Sequence, residues 1–391
     1  MRTVIGSVMV LASCLLLSCN DGVDVDEMIH NDLVVAGKQL ESFASRFDTS
    51  SVTARSWKDG EYRLIKPKDW TSGFFPGSLW LYYELSGEPK YKDYALRYTA
   101  REAEIPFKTN THDLGFMVFC SYGKQQEVLK DSVSASAIVQ ASKSLISRFN
   151  PQVGLIRSWD FGEWNYPVII DNMMNLEMLF WTGEYTGDQV YREIAVKHAD
   201  KTLANHFRDD ASSYHVVSYN DDGTVRSRGT YQGYSDDSAW ARGQAWALYG
   251  YTMCFRYTGF ERYLSQAEKV ASFIMNNPSM PKDKVPYWDY DAPKIPDEPR
   301  DASAAAVTAS ALFELSTKVD SGLSAKYFDY ALSILKSLSS DEYLAKPGEN
   351  GFFILKHSTG AASLGSEIDV PLNYADYYFL EAIKRYQDLK K

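Results

Sequence analysis

The chain has 391 residues, 41 Lys+Arg against 51 Asp+Glu for a formal net charge of −10, and 45% hydrophobic residues. That apolar content excludes a disordered chain, and the acidic balance excludes a nucleic-acid binder, which must neutralise phosphates. Nine Trp, 27 Tyr and 19 Phe leave an acidic globular protein rich in flat side chains, which fill cores or stack on sugars.

At the N-terminus, Met1-Arg2 precedes an apolar stretch that closes in Leu16-Leu17-Ser18-Cys19. A short charged start, an apolar run and small residues predict an export signal over residues 1–18, too short to span a bilayer. Leu-Leu-Ser-Cys resembles the lipobox of bacterial lipoproteins. The resemblance implies lipid on Cys19, a membrane anchor through it, and a periplasmic or outer-membrane location in a Gram-negative bacterium. Cleavage after another small residue is the competing reading. Residues 19–26 are then an acidic tether, and 27–391 a single domain. Cys14 leaves with the signal, while Cys120 and Cys254 lie in apolar helical stretches and are expected as free thiols. No Cys or His spacing suits zinc, so no metal site is expected.

From residue 27 onward one unit repeats. An amphipathic helix over 27–47 is followed by nearly all-apolar segments at 74–85, 172–185, 244–257 and 304–315, each ahead of a Gly-containing turn. The turns are Ser86-Gly87-Glu88, Tyr122-Gly123-Lys124, Thr186-Gly187-Asp188, Thr258-Gly259-Phe260 and Ser321-Gly322-Leu323. Gly at a helix end suits a left-handed C-cap. Helices with one charged face follow, at 90–102, 190–207, 262–276 and 324–338, and a last one spans 373–388. An all-round apolar helix is buried and one with a charged face lies outside. Six such pairs predict an all-α, (α/α)6 barrel of six inner and six outer helices, with an open solenoid as the alternative. The long connections, at 49–73, 105–112, 150–170, 208–241, 278–302 and 341–372, all fall at the N-terminal ends of the inner helices. Loops of that length are usually functional, so the cleft is expected at that end.

Five segments in these loops carry chemistry: Asp69-Trp70-Thr71-Ser72-Gly73, His112-Asp113-Leu114-Gly115-Phe116-Met117, Ile169-Ile170-Asp171-Asn172-Met173-Met174-Asn175, Tyr231-Gln232-Gly233-Tyr234-Ser235-Asp236-Asp237-Ser238, and Trp240-Ala241-Arg242-Gly243-Gln244-Ala245-Trp246. Asp113 and Asp171 open consecutive inner helices, which a closed ring makes neighbours, so both can reach one sugar. Each Asp has a competing role as a helix N-cap, and for Asp236 and Asp237 capping is the preferred reading. Trp70, Trp159 and Trp246 are either core or a platform for a pyranose ring.

In this order the five segments, with Asp376-Tyr377-Tyr378-Phe379-Leu380-Glu381 near the C-terminus, resemble the unsaturated glucuronyl hydrolases, family 88 of the glycoside hydrolases. The resemblance covers most of the chain after residue 70. It implies an exo-acting enzyme that takes the 4,5-unsaturated uronic acid from the non-reducing end of glycosaminoglycan-type oligosaccharides left by lyases. The implied chemistry is hydration of the C4=C5 enol ether, with no cofactor. Asp171 matches the general acid/base and Asp113 the second carboxylate. The implied substrate-binding residues are Trp70, His112, Trp159, His215, Gln232, Arg242 and Trp246, with Arg242 and Gln232 on the uronate carboxylate. Tyr231 stands where a His is expected in many relatives, and the segment 355–367 is expected to form the far wall. Arg226, Arg228 and Lys356 are candidates for meeting sulfate. The enzyme is expected to be a monomer. The alternatives are an unsaturated rhamnogalacturonyl hydrolase, whose sequences more often carry Asn at Gln244, and a non-catalytic glycan-binding lipoprotein.

Overall fold

The computed structural model describes residues 24–48 and 52–391. The expected signal segment and Cys19 lie outside the described residues. The first helix, α1 (Val25–Arg46), starts earlier than the sequence suggests. Asp24 caps it by accepting from the Asp26 and Glu27 amides, so residues 25 and 26, read as tether, are helical.

Eleven further helices follow among the described residues. They are α2 (Phe74–Ser86), α3 (Pro89–Ala100), α4 (Lys124–Leu129), α5 (Ser132–Ile146), α6 (Leu176–Thr186), α7 (Gln189–Asn205), α8 (Ala241–Thr258), α9 (Glu261–Asn276), α10 (Ala302–Ser316), α11 (Ser321–Leu338) and α12 (Asn373–Lys390). A π-helix (Gly115–Gly123) runs straight into α4, and a 3-10 turn (Ile170–Asn175) leads into α6. The inner ring is α2, the π-helix with α4, α6, α8, α10 and α12. Each packs on the next, and α12 packs back on α2 to close the circle. Helices α1, α3, α5, α7, α9 and α11 form the outer layer of this (α/α)6 barrel.

Side-chain character explains the two layers. All of α8 up to Cys254 and all of α10 but Glu314 are buried, so neither has a solvent-facing stripe along its length. Outer helices bury one stripe, for example Tyr263, Ala267, Val270, Ala271 and Ile274 of α9. Tyrosine is the bracket between neighbours. Tyr82, Tyr91 and Tyr98 bury their rings and donate their hydroxyls to the carbonyls of Leu33, Gly37 and Ala44 in α1. Burying the ring while its O–H finds a carbonyl leaves no orphaned polar atom. Away from the loops, Arg256 joins Glu177 at 2.7 Å to Glu314 at 3.1 Å, and Arg385 holds Glu314 at 2.8 Å, lacing α6, α8, α10 and α12 together.

Gly87, Gly187 and Gly259 have φ of 71°, 76° and 66° and end α2, α6 and α8 as left-handed caps. Two expected turns differ. Gly123 is helical, because the π-helix continues into α4 and the left-handed cap falls on Lys130 instead. Gly322 lies inside α11, whose N-cap Asp320 binds its amide. Cys120 and Cys254 are free thiols.

The long loops of this helical barrel also contain short strands. Strands β1 (Thr53–Lys58) and β2 (Glu61–Ile65) form a hairpin, and β3 (Phe149–Asn150) pairs with β4 (Leu155–Ile156). Strand β5 (Tyr166–Ile169) pairs antiparallel with β6 (Val216–Tyr219), which pairs with β7 (Val225–Gly229). The β-branched runs Val168-Ile169 and Val216-Val217 favour this pairing. It joins the third and fourth long loops, which helix periodicity cannot reveal.

Candidate active site

At the loop end of the barrel lies a cavity of about 500 Å³. Trp70, His112, Asp113, Trp159, Asp171 and Gln232 all line it, so six of the nine expected residues share one space. The segment 361–367 closes the far side through Ala361, Leu364, Ser366 and Glu367.

Ser158 sets the two carboxylates relative to each other. Its carbonyl accepts the His112 amide at 3.2 Å, its amide donates to Pro167 at 2.9 Å, and its Oγ accepts the Ile169 amide at 3.0 Å. One buried residue thus fixes the backbone ahead of Asp113 and ahead of Asp171. Deeper in the barrel, Asn175 Oδ1 accepts the Phe116 amide at 3.2 Å. A Cβ on Gly115 would stand 2.6 Å from the Asn175 Cα, so the approach of these two inner elements requires glycine. The wide turns of the π-helix begin there, a feature common at functional sites.

The carboxylates have different surroundings. Asp113 Oδ2 accepts from Thr111 Oγ1 at 2.6 Å, and Oδ1 lies 3.2 Å from His112 Nε2. Asp171 is 6% exposed, and its Oδ2 has no hydrogen-bond partner among the described residues. Neither side chain caps a helix. The N-cap positions are Leu114 and Ile169, with no side-chain cap, which removes the competing reading. Asp236 does not cap α8 either. It accepts the Thr230 amide at 2.9 Å, and Trp240 is the N-cap.

His215 stands behind Asp171, with Nε2 3.6 Å from Asp171 Oδ2. Pairing of β5 with β6 puts it there, since the Ile170 amide donates to the His215 carbonyl. Its Nδ1 accepts the amides of Tyr231 and Gln232 at 3.0 and 3.1 Å. An acceptor Nδ1 leaves the proton on Nε2 in the neutral ring, facing Asp171.

Arg242 and Trp246 are placed one layer behind the cavity wall. Arg242 is 1% exposed and pairs with the fully buried Asp301 at 2.8 Å. It also donates to the carbonyls of Thr359 and Gly360. Three of its donor bonds thus go to Asp301 and to the segment that carries Ala361, while its buried Nε has no hydrogen-bond partner among the described residues, and the side chain is not in the cavity wall. Asp301 caps α10 as well, accepting the Ser303 amide. Trp246 is wholly buried against Phe116 and Tyr378, and is core. Arg226, Arg228 and Lys356 are not in the wall. Arg228 donates to Asn205 and Lys356 to Asp341.

Several wall residues were not anticipated: Arg55, Arg63, Lys68, Lys108 and Phe161. Arg55 grips Glu367 with two bonds, at 2.8 and 2.6 Å, and Arg63 holds Ser366 Oγ at 2.7 Å. These contacts strap the β1–β2 hairpin to the far wall across about three hundred residues of sequence, beyond any local signal. Phe161 stacks on Trp159 at 4.9 Å and is 51% exposed, so the pair offers an aromatic ledge at the rim. Its signal was in the sequence, as an aromatic two residues from Trp159.

A helical barrel with two carboxylates and aromatic rings around one cavity suits a glycoside hydrolase. The model of Glycosyl Hydrolase Family 88 matches residues 41–390, and the chain belongs to that family. It is 46% identical over 366 residues to an unsaturated glucuronyl hydrolase of Formosa agariphila, covering 90% of this chain and 91% of that one. It is 33% identical to an unsaturated chondroitin disaccharide hydrolase of Streptococcus pyogenes serotype M1, covering 93% and 91%. A crystal structure of an unsaturated glucuronyl hydrolase specific for heparin superposes with a TM-score of 0.91 at 52% identity, over 93% of this chain and 98% of that one.

Proposed function

We propose that the protein hydrolyses lyase-generated, unsaturated glycosaminoglycan oligosaccharides, releasing the terminal 4,5-unsaturated uronic acid. The carrying observation is Asp171, a nearly buried carboxyl that lines the cavity, its buried Oδ2 turned towards His215 with no hydrogen-bond partner among the described residues. Such a group is free to give a proton to substrate and take one back.

In this reaction Asp171 protonates C4 of the enol ether, and positive charge develops at C5, shared with the ring oxygen. The same carboxylate then takes a proton from water as its oxygen bonds to C5. The hemiketal opens, so C5 becomes a ketone and the ring oxygen stays on C1 as a hydroxyl. C1 is then a hemiacetal, which expels the leaving sugar as an alcohol and becomes an aldehyde. His215 holds its Nε2 proton towards Asp171 and stabilises the anion left after donation. Asp113, with Thr111 and His112 on its oxygens, is fixed to accept from sugar hydroxyls. Gln232 is the cavity-facing amide for the uronate carboxylate, and Trp70, Trp159 and Phe161 offer ring faces. The names of the relatives support this substrate class.

The test is loss of the ultraviolet absorbance of the conjugated double bond in unsaturated heparin, chondroitin and hyaluronan disaccharides. Wild type removes it, and Asp171→Asn slows it by about 10²- to 10⁴-fold. Absorbance that persists with every disaccharide overturns the function, and an unslowed Asp171→Asn overturns the assigned acid.

We also propose that the protein acts as a monomer and is exported and lipid-anchored at Cys19, from the Leu16-Leu17-Ser18-Cys19 motif. Fatty-acid labelling of the protein in cells, abolished by Cys19→Ser, tests the anchor.

A further inference from the structure

Four cations line the cavity of a protein whose net charge is −10. Arg55 and Arg63 are already matched. Glu367 binds both, at 2.6 and 3.1 Å, and Asp69 lies 3.5 Å from Arg55. Lys68 and Lys108 form no ion pair among the described residues. Among the described residues the only side-chain hydrogen bond from either goes from Lys108 to the amide oxygen of Asn110, at 2.8 Å. They are also electrostatic neighbours. Partial burial holds the Lys108 ammonium below its ordinary range, Asp113 opposes this, and Arg148 and Lys68 add to it. Two unmatched ammonium groups close enough to repel, both facing an enclosed space, are arranged for a shared anion.

The ring order decides which anion. Lys68 is on the first long loop beside Trp70, and Lys108 on the second, ahead of Asp113. Asp171 follows on the third and Gln232 on the fourth. Protonation of C4 places the neighbouring C5, and the carboxylate it carries, by Asp171 and Gln232. The lysines come from the first two loops, on the Asp113 side of the cavity and away from Gln232 on the fourth. We propose that Lys68 and Lys108 form an anion subsite that selects substrates bearing a sulfate group. This rests on the hydrolase reading above. Each lysine is a specificity-determining residue and takes no part in proton transfer.

The experiment compares kcat/KM for matched sulfated and unsulfated unsaturated disaccharides, in wild type, Lys68→Gln, Lys108→Gln and the double variant, at low and high salt. The expected result is a preference of wild type for a sulfated substrate that falls about tenfold in the double variant, mainly through KM. High salt erodes the wild-type preference in the same direction, because partly exposed charges are screened. An equal loss on both substrates assigns the lysines to the uronate carboxylate and overturns the proposal. Unchanged kinetics in the double variant, or no wild-type preference for any sulfated substrate, overturns it too. In each of those cases turnover of the double bond continues and the hydrolase reading stands. Only absence of turnover by wild type removes that reading as well.

Discussion

His215 Nε2 stands 3.6 Å from Asp171 Oδ2, held there because two backbone amides, of Tyr231 and Gln232, occupy its other nitrogen. The arrangement fixes both the tautomer and the ring plane. The donor that faces the carboxyl is therefore set by the fold before substrate arrives.

His215→Gln keeps a neutral polar group but lacks the rigid ring that spans from the two amides to Asp171. We expect kcat to fall by about 10²-fold with a smaller change in KM, and the pH profile of kcat to move. Stopped assays across pH 4.5–8.5 check this. A change confined to KM would make His215 a substrate contact rather than a positioning residue.

The aromatic ledge should act in binding alone. Phe161 covers Trp159 and does not touch either carboxylate partner group. Phe161→Ala is expected to raise KM by about fivefold to tenfold, the cost of one stacking contact, with kcat unchanged. Initial rates on a single disaccharide suffice, and an equal fall in kcat would contradict the assignment.

The Arg242–Asp301 pair is fully buried, with side chains 1% and 0% exposed. Removing one partner leaves an uncompensated charge, so Asp301→Ala should cost about 3–5 kcal/mol in urea unfolding. Arg242→Met combined with Asp301→Asn should recover part of that, since Asn still caps α10. A cost under about 1 kcal/mol for Asp301→Ala would show that Arg242 reaches water or substrate.

His198 gives a pH prediction with a definite sign. Its Nδ1 accepts the Ile156 amide at 3.0 Å, and burial, then the His112 charge, pushes the imidazole down to about 3. Above the unfolded value of about 6.5 the ring is neutral in both states and the bond contributes fully. As pH falls from 6.5 towards 3 the unfolded chain takes a proton that the folded chain refuses. Stability then falls by about 1.4 kcal/mol per pH unit from this group. Denaturation of wild type and His198→Asn between pH 4 and 7 isolates it, and a pH-independent difference between them would contradict the prediction.

Much of the architecture was legible because helix burial is periodic. Runs with no polar face, such as 304–315, read as inner helices, and stripes such as Tyr263, Ala267 and Val270 read as outer ones. Loop lengths then placed the cleft. The helix ends were less legible: Gly123 and Gly322 look like Gly87 in sequence, yet only Gly87 has a left-handed φ. A glycine permits that conformation but does not impose it, and here the π-helix and the Asp320 cap decided otherwise.

Their place at the starts of consecutive inner helices singled out Asp113 and Asp171, whereas only the family resemblance put Arg242 on the substrate carboxylate. A lone Arg in a loop-proximal motif carries no mark of its partner. Asp301 is 59 residues away and Thr359 is 117, and only packing reveals that these take part of its donors. The same distance in sequence hid Arg55 and Glu367, whose pairing builds the far wall.

The sequence by itself determined the helical repeat, the end of the barrel that opens, and the carboxylates and aromatic rings offered there, because these follow from local composition and period. Tertiary structure alone decided which polar groups face the cavity and which are spent behind it. That choice depends on pairing between distant segments: β5 with β6 brings His215 to Asp171, Arg242 is paired with Asp301, and Lys68 and Lys108 are left outside any ion pair among the described residues. An acidic chain thereby presents unmatched positive charge at the one place where an anionic sugar enters.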